Sequence, residues 1–344
     1  MKCKIAALAP LLAALLVFSQ CRGKSQTIGS VDRIIVLADQ GLWEKVGADA
    51  AAALERELFT PQPEKLFRIT HRSPEQLGDL TRAAHILLLA TLDSGGWTGD
   101  MLQQMLTGEG RSRVESDSSF IFKKKDAWSR GQLFVVVVGR DLVTLQRHLQ
   151  QDREVIFDTF DEHADRLVLE TLYERMEQKE IGKELAEKHG WGIRVPHDFF
   201  LAVDSVEAKF VWLRRMGPQR WLSAHWQRVE DPAVLSKEWL LETRARLASA
   251  FYEGDYVYQD EMIKVEMKEV EFAGRYALRL DGVWQNDTHG VGGPFRCYGF
   301  YNEEDGRIYM IDLGVLAPGE RKWMYMRQLG AIASTFYFID REPA

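Results

Sequence analysis

Residues 275–313 read RYALRLDGVWQNDTHGVGGPFRCYGFYNEEDGRIYMIDL. Aromatic and β-branched residues are concentrated at 275–284, 296–301 and 307–313, so these three runs predict strands. Between the last two lies Asn302-Glu-Glu-Asp-Gly306, whose turn-forming residues predict a hairpin. Strands joined by such short turns pair antiparallel. This part of the chain is therefore expected to form an antiparallel sheet.

The flanking segments add helices to this sheet. Residues 236–253 have helical periodicity, and a final helix places Leu329 and Phe336 on one face, which we expect to pack on the strand that contains Tyr309 and Ile311. Two more strands flank the turn Met216-Gly-Pro-Gln219. The predicted fold class is α+β: two mixed sheet-plus-helix domains joined by a long helical segment, the second mainly an antiparallel sheet with helices on one side.

The first half alternates strands and helices. Residues 33–38, 85–91 and 132–139 predict strands, and the last is apolar on both faces, as expected at the centre of a sheet. Residues 141–189 have nearly continuous helical periodicity, with Gly182 as a candidate bend. The predicted organisation is a signal peptide at 1–20, a tether at 21–30, an N-terminal α/β domain at 31–140, the helical segment at 141–189 and a C-terminal α+β domain at 190–340.

The beginning of the chain has the pattern of a signal peptide. Lys2 and Lys4 precede an uncharged apolar run, residues 5–18, that is shorter than the roughly 20 residues a membrane span needs. Cleavage at a small-x-small site would release a soluble protein. The preferred alternative is a lipobox, Phe18-Ser-Gln-Cys21, in which Gln20 departs from the usual pattern and Cys21 carries the lipid. The polar residues after it predict a flexible tether.

Composition excludes several classes of function. The formal charge of −7 argues against nucleic acid as a partner and against a polybasic grip on anionic lipid. The eight histidines show no metal-binding spacing and no Cys-x-x-Cys pair occurs, so neither a metal nor a cofactor is expected. Beyond Cys3, the cysteines are Cys21 and Cys297. A disulfide between those two is the alternative to lipidation of Cys21, and Cys297 is otherwise expected to be a buried thiol.

Several motifs together resemble a known family. In the first half they are the opening signal peptide with Cys21 and Gly41-Leu42-Trp43-Glu44. In the second half they are Gly190-Trp-Gly-Ile-Arg-Val-Pro196, Phe210-Val-Trp-Leu-Arg214, Gly282-Val-Trp-Gln-Asn286 with Gly292-Gly-Pro-Phe295, and Arg327-Gln-Leu-Gly-Ala-Ile332, so the resemblance covers nearly the whole mature chain. The chain resembles the uncharacterised family of Bacteroidota envelope lipoproteins filed as domain of unknown function 4837. This resemblance implies an envelope lipoprotein and supplies no catalytic residues. The second half is also similar in layout to the PsbP and Mog-type proteins, which are largely non-enzymatic accessory domains.

The segment Gln285-Asn-Asp-Thr-His-Gly-Val-Gly-Gly-Pro294 is the candidate ligand loop. Asp287 and His289 are potential acid–base groups, and Asn286 with Gly292 and Gly293 could present polar or backbone donors. No lysine follows the glycines, so the segment is not a P-loop. A structural turn, in which the glycines serve backbone geometry, is the preferred interpretation.

A second candidate is an aromatic surface. Trp221 and His225 share one face of their predicted strand, while Leu222 and Trp226 share the other. Exposed side by side, the first pair could stack on a sugar or a peptide, although core packing is the default for large rings.

The predicted function is that of a non-catalytic, lipid-anchored binding or accessory module. It is expected in the cell envelope, facing the periplasm or the exterior, with the membrane as one partner through Cys21 and another envelope protein or a glycan as the second. The alternatives are an envelope hydrolase that uses Asp287 and His289, and carbohydrate or peptide binding through exposed tryptophans.

Overall fold

The computed structural model of the chain describes residues 24–59, 62–174 and 176–339. The strands of the N-terminal half are β1 (Arg33–Leu37), β2 (Glu57–Phe59), β3 (Pro63–Lys65), β4 (Arg68–Arg72), β5 (His85–Thr91), β6 (Ile121–Lys125) and β7 (Leu133–Gly139). Except for the β2–β3 hairpin, they form one sheet in the order β4-β1-β5-β7-β6. Its first four strands are parallel, and β6 is antiparallel to β7. Every residue of β5 and β7 is buried, as expected for central strands.

Helices cover both faces of this first sheet. They are α1 (Gln40–Leu54), α2 (Leu77–Leu80), α3 (Gly96–Met105), α4 (Gly108–Glu115), α5 (Leu142–Gln151) and α6 (Arg153–Glu174). The next helix, α7 (Lys179–His189), packs instead on the core of the C-terminal half. The first, fifth and sixth helices share one core with the sheet. The second, third and fourth pack on its other face. This half is therefore a three-layer α/β arrangement.

The long helical segment is divided differently from the prediction. Asp141 caps α5 by accepting a hydrogen bond from the backbone N–H of Thr144. The breaks lie at Asp152 and between α6 and α7, not at Gly182, which lies inside α7. Gly182 is required there for another reason, because a Cβ would lie only 2.7 Å from the carbonyl oxygen of Ile193. The predicted end is confirmed, since Gly190 adopts a φ of +84° after His189.

The described part of the predicted tether, residues 24–30, is attached to the first sheet. Backbone N–H groups of Thr27 and Ile28 donate to the carbonyl oxygens of Arg130 and Arg82, and the N–H of Arg130 donates to Ser25. These bonds hold the segment beside β7. The flexible-tether prediction is wrong for these residues; Cys21 and the signal peptide lie outside the described residues.

The C-terminal half contains the larger sheet. Its strands are β8 (Trp191–Gly192), β9 (Phe200–Ser205), β10 (Phe210–Arg215), β11 (Gln219–Arg228), β12 (Tyr256–Tyr258), β13 (Glu266–Phe272), β14 (Arg275–Asn286), β15 (Val291–Asn302), β16 (Arg307–Leu316) and β17 (Tyr337–Phe338). The antiparallel order is β12-β14-β15-β16-β11-β10-β9, and β13 also pairs with β14. The strands β8 and β17 pair separately. The predicted α+β class is confirmed.

The two faces of this sheet are covered by different helices, whereas helices on only one side were predicted. On one face lies α9 (Trp323–Ala333), and Leu329 and Phe336 are 0% and 5% exposed in one core with Tyr309 and Ile311. Their burial is as predicted, but Phe336 lies beyond the end of the helix and not on it. On the other lies α8 (Lys237–Phe251). The alternation along β11 sends Trp221 to the α8 side and Trp226 to the α9 side.

The two halves are joined through α9. The carboxylate of Glu64 accepts hydrogen bonds from the backbone N–H groups of Lys322 and Trp323 at 2.9 and 2.8 Å, so the N-terminal half caps a helix of the C-terminal half. The guanidinium of Arg327 also pairs with Asp161 and Asp165 of α6. Among the described residues, no helix has the length and apolar character required to cross a bilayer.

Candidate functional site

A pocket of about 300 Å³ lies at the end of the second sheet where the β10–β11 and β14–β15 hairpins turn. The end of α8 and the residues after it close one side. We call it the ring pocket because the side chains of Trp212, Trp221, Tyr252 and Trp284 line it. The antiparallel order β14-β15-β16-β11-β10 places all the contributing strand ends at this one edge.

The four rings contact each other directly. The ring centroids of Trp221 and Trp284 are 5.4 Å apart, those of Trp221 and Tyr252 are 5.8 Å apart, and those of Trp212 and Tyr252 are 4.8 Å apart. The ring of Trp221 lies against the backbone of Gly314, where any Cβ would overlap it. The rings therefore form a continuous apolar wall with little room to rearrange.

One end of the pocket has hydrogen-bond donors without acceptors. Arg214 lies over the ring of Trp212, with its guanidinium carbon 4.3 Å from the ring centroid. The Nε of Arg214 and the indole Nε1 of Trp212 are buried and have no hydrogen-bond partner among the described residues. The Nε1 of Trp284, in the aromatic wall of the pocket, is also buried and unpartnered there. Leaving a buried donor unpaired costs about 1–3 kcal/mol. An acceptor supplied by a ligand would remove that cost.

The other end is lined by acidic and amide side chains. Asn286 donates from Nδ2 to the carboxylate of Asp255 at 2.8 Å and to the carbonyl oxygen of Glu253 at 3.2 Å. Burial raises the pKa of Asp255, and the hydrogen bond from Asn286 only partly opposes this shift. His289 donates from Nε2 to the Glu253 carboxylate at 2.8 Å. This end therefore offers oxygen acceptors to a ligand.

The predicted ligand loop is mostly a hairpin. Its strand β14 continues to Asn286 and β15 begins at Val291, so only residues 287–290 form the turn. Asn286 and His289 line the ring pocket. Asp287 instead accepts hydrogen bonds from Tyr256 and Gln285. Asp287 and His289 therefore do not converge on one reaction centre.

The glycines of this hairpin serve backbone geometry, as the preferred interpretation expects. Gly290 has a φ of +63° in the turn. A Cβ at Gly292 would lie 2.7 Å from the carbonyl oxygen of Trp284, and one at Gly293 would overlap that of Val315. Neither Gly292 nor Gly293 is part of a nest of backbone donors in a loop, because both pair within the sheet.

The exposed aromatic surface is not present. Trp221 is 2% exposed and His225 is 3% exposed. His225 donates from Nδ1 to the carbonyl oxygen of Lys209 and accepts from Arg246, and burial followed by the charge of Arg246 lowers its pKa to about 4. Trp221 remains relevant as a wall of the ring pocket, whereas His225 has a structural role in the core.

Nucleophile and metal chemistry receive no support in the described part of the chain. Cys297 is buried, and burial raises the pKa of its thiol, which opposes formation of the reactive thiolate. No group of three or more His, Cys, Asp or Glu side chains in the described ranges has the geometry to hold a metal ion.

Sequence analysis missed Trp212, Arg214, Trp284 and Asp255 as pocket residues. Trp212 and Arg214 alternate on β10, and that period places both on one face. Which face lines a pocket depends on the neighbouring strands. The sequence does place a tryptophan close to each of the two hairpin turns. That signal indicates the end of the sheet that holds the pocket only once the strand order is known.

Comparison with known proteins identifies two segments of the chain. Residues 27–173 match the family model described as Domain of unknown function (DUF8532), and residues 178–335 match Domain of unknown function (DUF4837). No curated protein has a significant match.

Solved structures with partial similarity include LpqN, involved in cell envelope biogenesis of Mycobacterium tuberculosis, at 15% identity and a TM-score of 0.30, covering 42% of this chain and 81% of that one. The Saccharomyces cerevisiae Ran-binding protein Mog1p matches at 11% identity and 0.30, covering 44% and 91%. A protein of Bacteroides thetaiotaomicron VPI-5482 matches at 6% identity and 0.27, covering 44% and 46%. Residues 178–335, which contain the whole ring pocket, thus match the domain of unknown function 4837 model that the sequence motifs resemble, whereas residues 27–173 match a different model.

Proposed function

We propose that the chain is a non-catalytic, lipid-anchored binding protein of the cell envelope, and that its C-terminal half binds a small ligand in the ring pocket. The observation that carries the proposal is the combination of an apolar ring wall with buried, unpartnered donors in one concave site. Ligand sites typically combine mostly apolar walls with a few placed polar groups. The volume of about 300 Å³ suits a ligand of one or two small rings.

Ligand binding can be tested by NMR with a small-fragment library. The fragments that bind wild type should then be tested for binding to Trp284→Ala. The control variant is Trp239→Ala, which changes a tryptophan outside the pocket lining. We expect fragments that bind wild type and the control but not Trp284→Ala. Fragments that bind all three folded proteins equally would contradict the pocket as the binding site.

The envelope location rests on the apolar run at 5–18 and on Cys21. Metabolic labelling with a fatty-acid analogue should tag the wild-type chain and should not tag Cys21→Ser. Equal labelling of the two proteins would contradict lipidation at Cys21. A wild-type protein found in the soluble fraction, without membranes, would also contradict it and would favour secretion.

A hydrolase is the second candidate function. The raised pKa of Asp255 favours it, since burial that raises the pKa of a carboxyl group makes it better suited to act as a general acid. Its predicted pair, Asp287 and His289, is separated, so Glu253 and Asp255 would have to act instead. Incubation of wild type and Asp255→Asn with chromogenic glycosides and esters tests this candidate. Turnover by wild type that Asp255→Asn lacks would replace the non-catalytic proposal.

A further inference from the structure

We infer that the ring pocket selects an acidic saccharide, a sugar ring with a carboxylate held at the Arg214 end and hydroxyl groups at the Glu253–Asp255 end. This inference rests on the proposed binding function of the same pocket. Beyond that function, the inference states the chemical class of the ligand and which end of the pocket each of its polar groups occupies.

The carboxylate end follows from the charge of Arg214. This residue has no carboxylate partner among the described residues, whereas the next residue, Arg215, pairs with Asp198 at 2.9 Å. The unpartnered Nε of Arg214 and the Nε1 of Trp212 are donors on the same strand. Arginine donors match the two oxygens of a carboxylate, and a charged acceptor makes the strongest bond with them. An oxyanion is the group that would pair with this set of donors.

The hydroxyl end follows from the state of the two acids. The carboxylate of Glu253 already accepts a hydrogen bond from His289, and that of Asp255 accepts one from Asn286. Burial also disfavours the charged form of Asp255. Asn286 and His289 therefore already occupy part of the acceptor capacity at this end. Hydroxyl groups, which both donate and accept, suit these partly satisfied oxygens.

The aromatic wall between the two ends selects the body of the ligand. Arg214 lies on β10 and Asn286 on β14, with three strands between them in the sheet. Trp221 and Trp284 lie between those ends as an apolar surface. A sugar ring has one apolar C–H face and polar edges, so its face can pack on these rings while its substituents reach both ends.

The experiment measures intrinsic tryptophan fluorescence and saturation-transfer NMR with four probes, glucuronate, glucuronamide, glucose and glutamate. Glucuronamide replaces the carboxylate of glucuronate with a neutral amide of the same shape. Wild type is expected to bind glucuronate at least tenfold more tightly than glucuronamide or glucose, and to bind glutamate more weakly than glucuronate. Raising the salt concentration should weaken the binding of glucuronate but not that of the neutral probes glucuronamide and glucose.

The variants are Arg214→Gln and the matched control Arg215→Gln, each checked for an unchanged melting profile. Arg214→Gln should bind glucuronate and glucuronamide equally, and Arg215→Gln should keep the wild-type preference. Equal binding of the acid and the amide by wild type, preferred binding of glutamate, or no binding of any probe at millimolar concentration would each overturn the inference. Fragments that still occupy the pocket in the NMR test would leave the binding function standing.

Discussion

Arg244 donates from Nε to Oδ1 of Asp312 across 3.0 Å between α8 and the second sheet, and the two side chains are 1% and 0% exposed. Burial raises the pKa of Asp312, although Arg244 opposes that shift. The guanidinium of Arg244 also lies 4.1 Å from the ring centroid of Phe295. One buried pair therefore sets how α8, which closes the ring pocket, sits on the strands that form it.

Removing one member of this pair should be more damaging than removing both. Arg244→Met leaves the Asp312 carboxyl buried without its partner, and breaking a buried pair in this way costs about 3–5 kcal/mol. The double variant Arg244→Met with Asp312→Leu should recover part of that loss. Urea unfolding of the two singles and the double measures it. A double variant that loses the sum of both single effects would contradict the coupling.

The hairpin glycines should differ in their sensitivity. Gly293→Ala forces a Cβ into the carbonyl of Val315 between paired strands, so we expect a loss of at least about 1–3 kcal/mol. Gly290→Asn keeps a residue that tolerates positive φ in an open turn and should cost less than about 1 kcal/mol. Thermal melting of both variants provides the comparison. The prediction is wrong if Gly290→Asn is the more destabilised protein.

Phe336→Ala should destabilise the C-terminal half. Phe336 packs between α9 and the sheet, with its ring centroid 5.2 Å from Trp191 and 5.7 Å from Phe300. Truncating a buried phenylalanine costs about 3–5 kcal/mol. The exposed Tyr337→Ala provides a neighbouring control that should change stability much less. An unchanged melting temperature for Phe336→Ala would show that this contact is peripheral.

Stability should fall in mild acid because of a buried histidine pair. The Nδ1 of His163 lies 2.9 Å from the Nε2 of His85, and burial, then Arg166 and Lys125, lower the pKa of His163 to about 4. An unfolded histidine titrates near 6.5. Between these values the folded state binds fewer protons, so the stability is fully present above about pH 6.5 and is lost as the pH falls toward 4.

His163→Gln tests this dependence. The glutamine keeps a hydrogen-bonding group beside His85 but does not titrate. The slope of unfolding free energy against pH should decrease by up to about 1.4 kcal/mol per pH unit between pH 6.5 and 4. If the unfolding free energy of the variant depends on pH with the same slope as that of wild type, other groups cause the acid sensitivity.

Local patterns in the sequence were sufficient to predict most elements. The strand at 85–91 is observed with the predicted bounds, and the strand predicted at 132–139 is observed at 133–139. The predicted helical segment 141–189 also begins at the cap residue Asp141 and ends before Gly190, as observed. These features depend on residues within one turn or one strand, so periodicity and cap residues report them directly.

The site was decided by contacts distant in sequence. Trp212, Asp255 and Trp284 come together only because β14 and β10 end at the same edge of the sheet, on either side of β15, β16 and β11. Asp287 and His289, two residues apart, instead have different partners, since Asp287 accepts from Tyr256 and His289 pairs with Glu253. By itself the sequence determined the elements, their faces and the resemblance of residues 178–335 to one family, since local periodicity and motifs encode them. Only the tertiary structure decided which rings and charges share a pocket, because strand order and helix docking depend on packing between segments that no local pattern encodes.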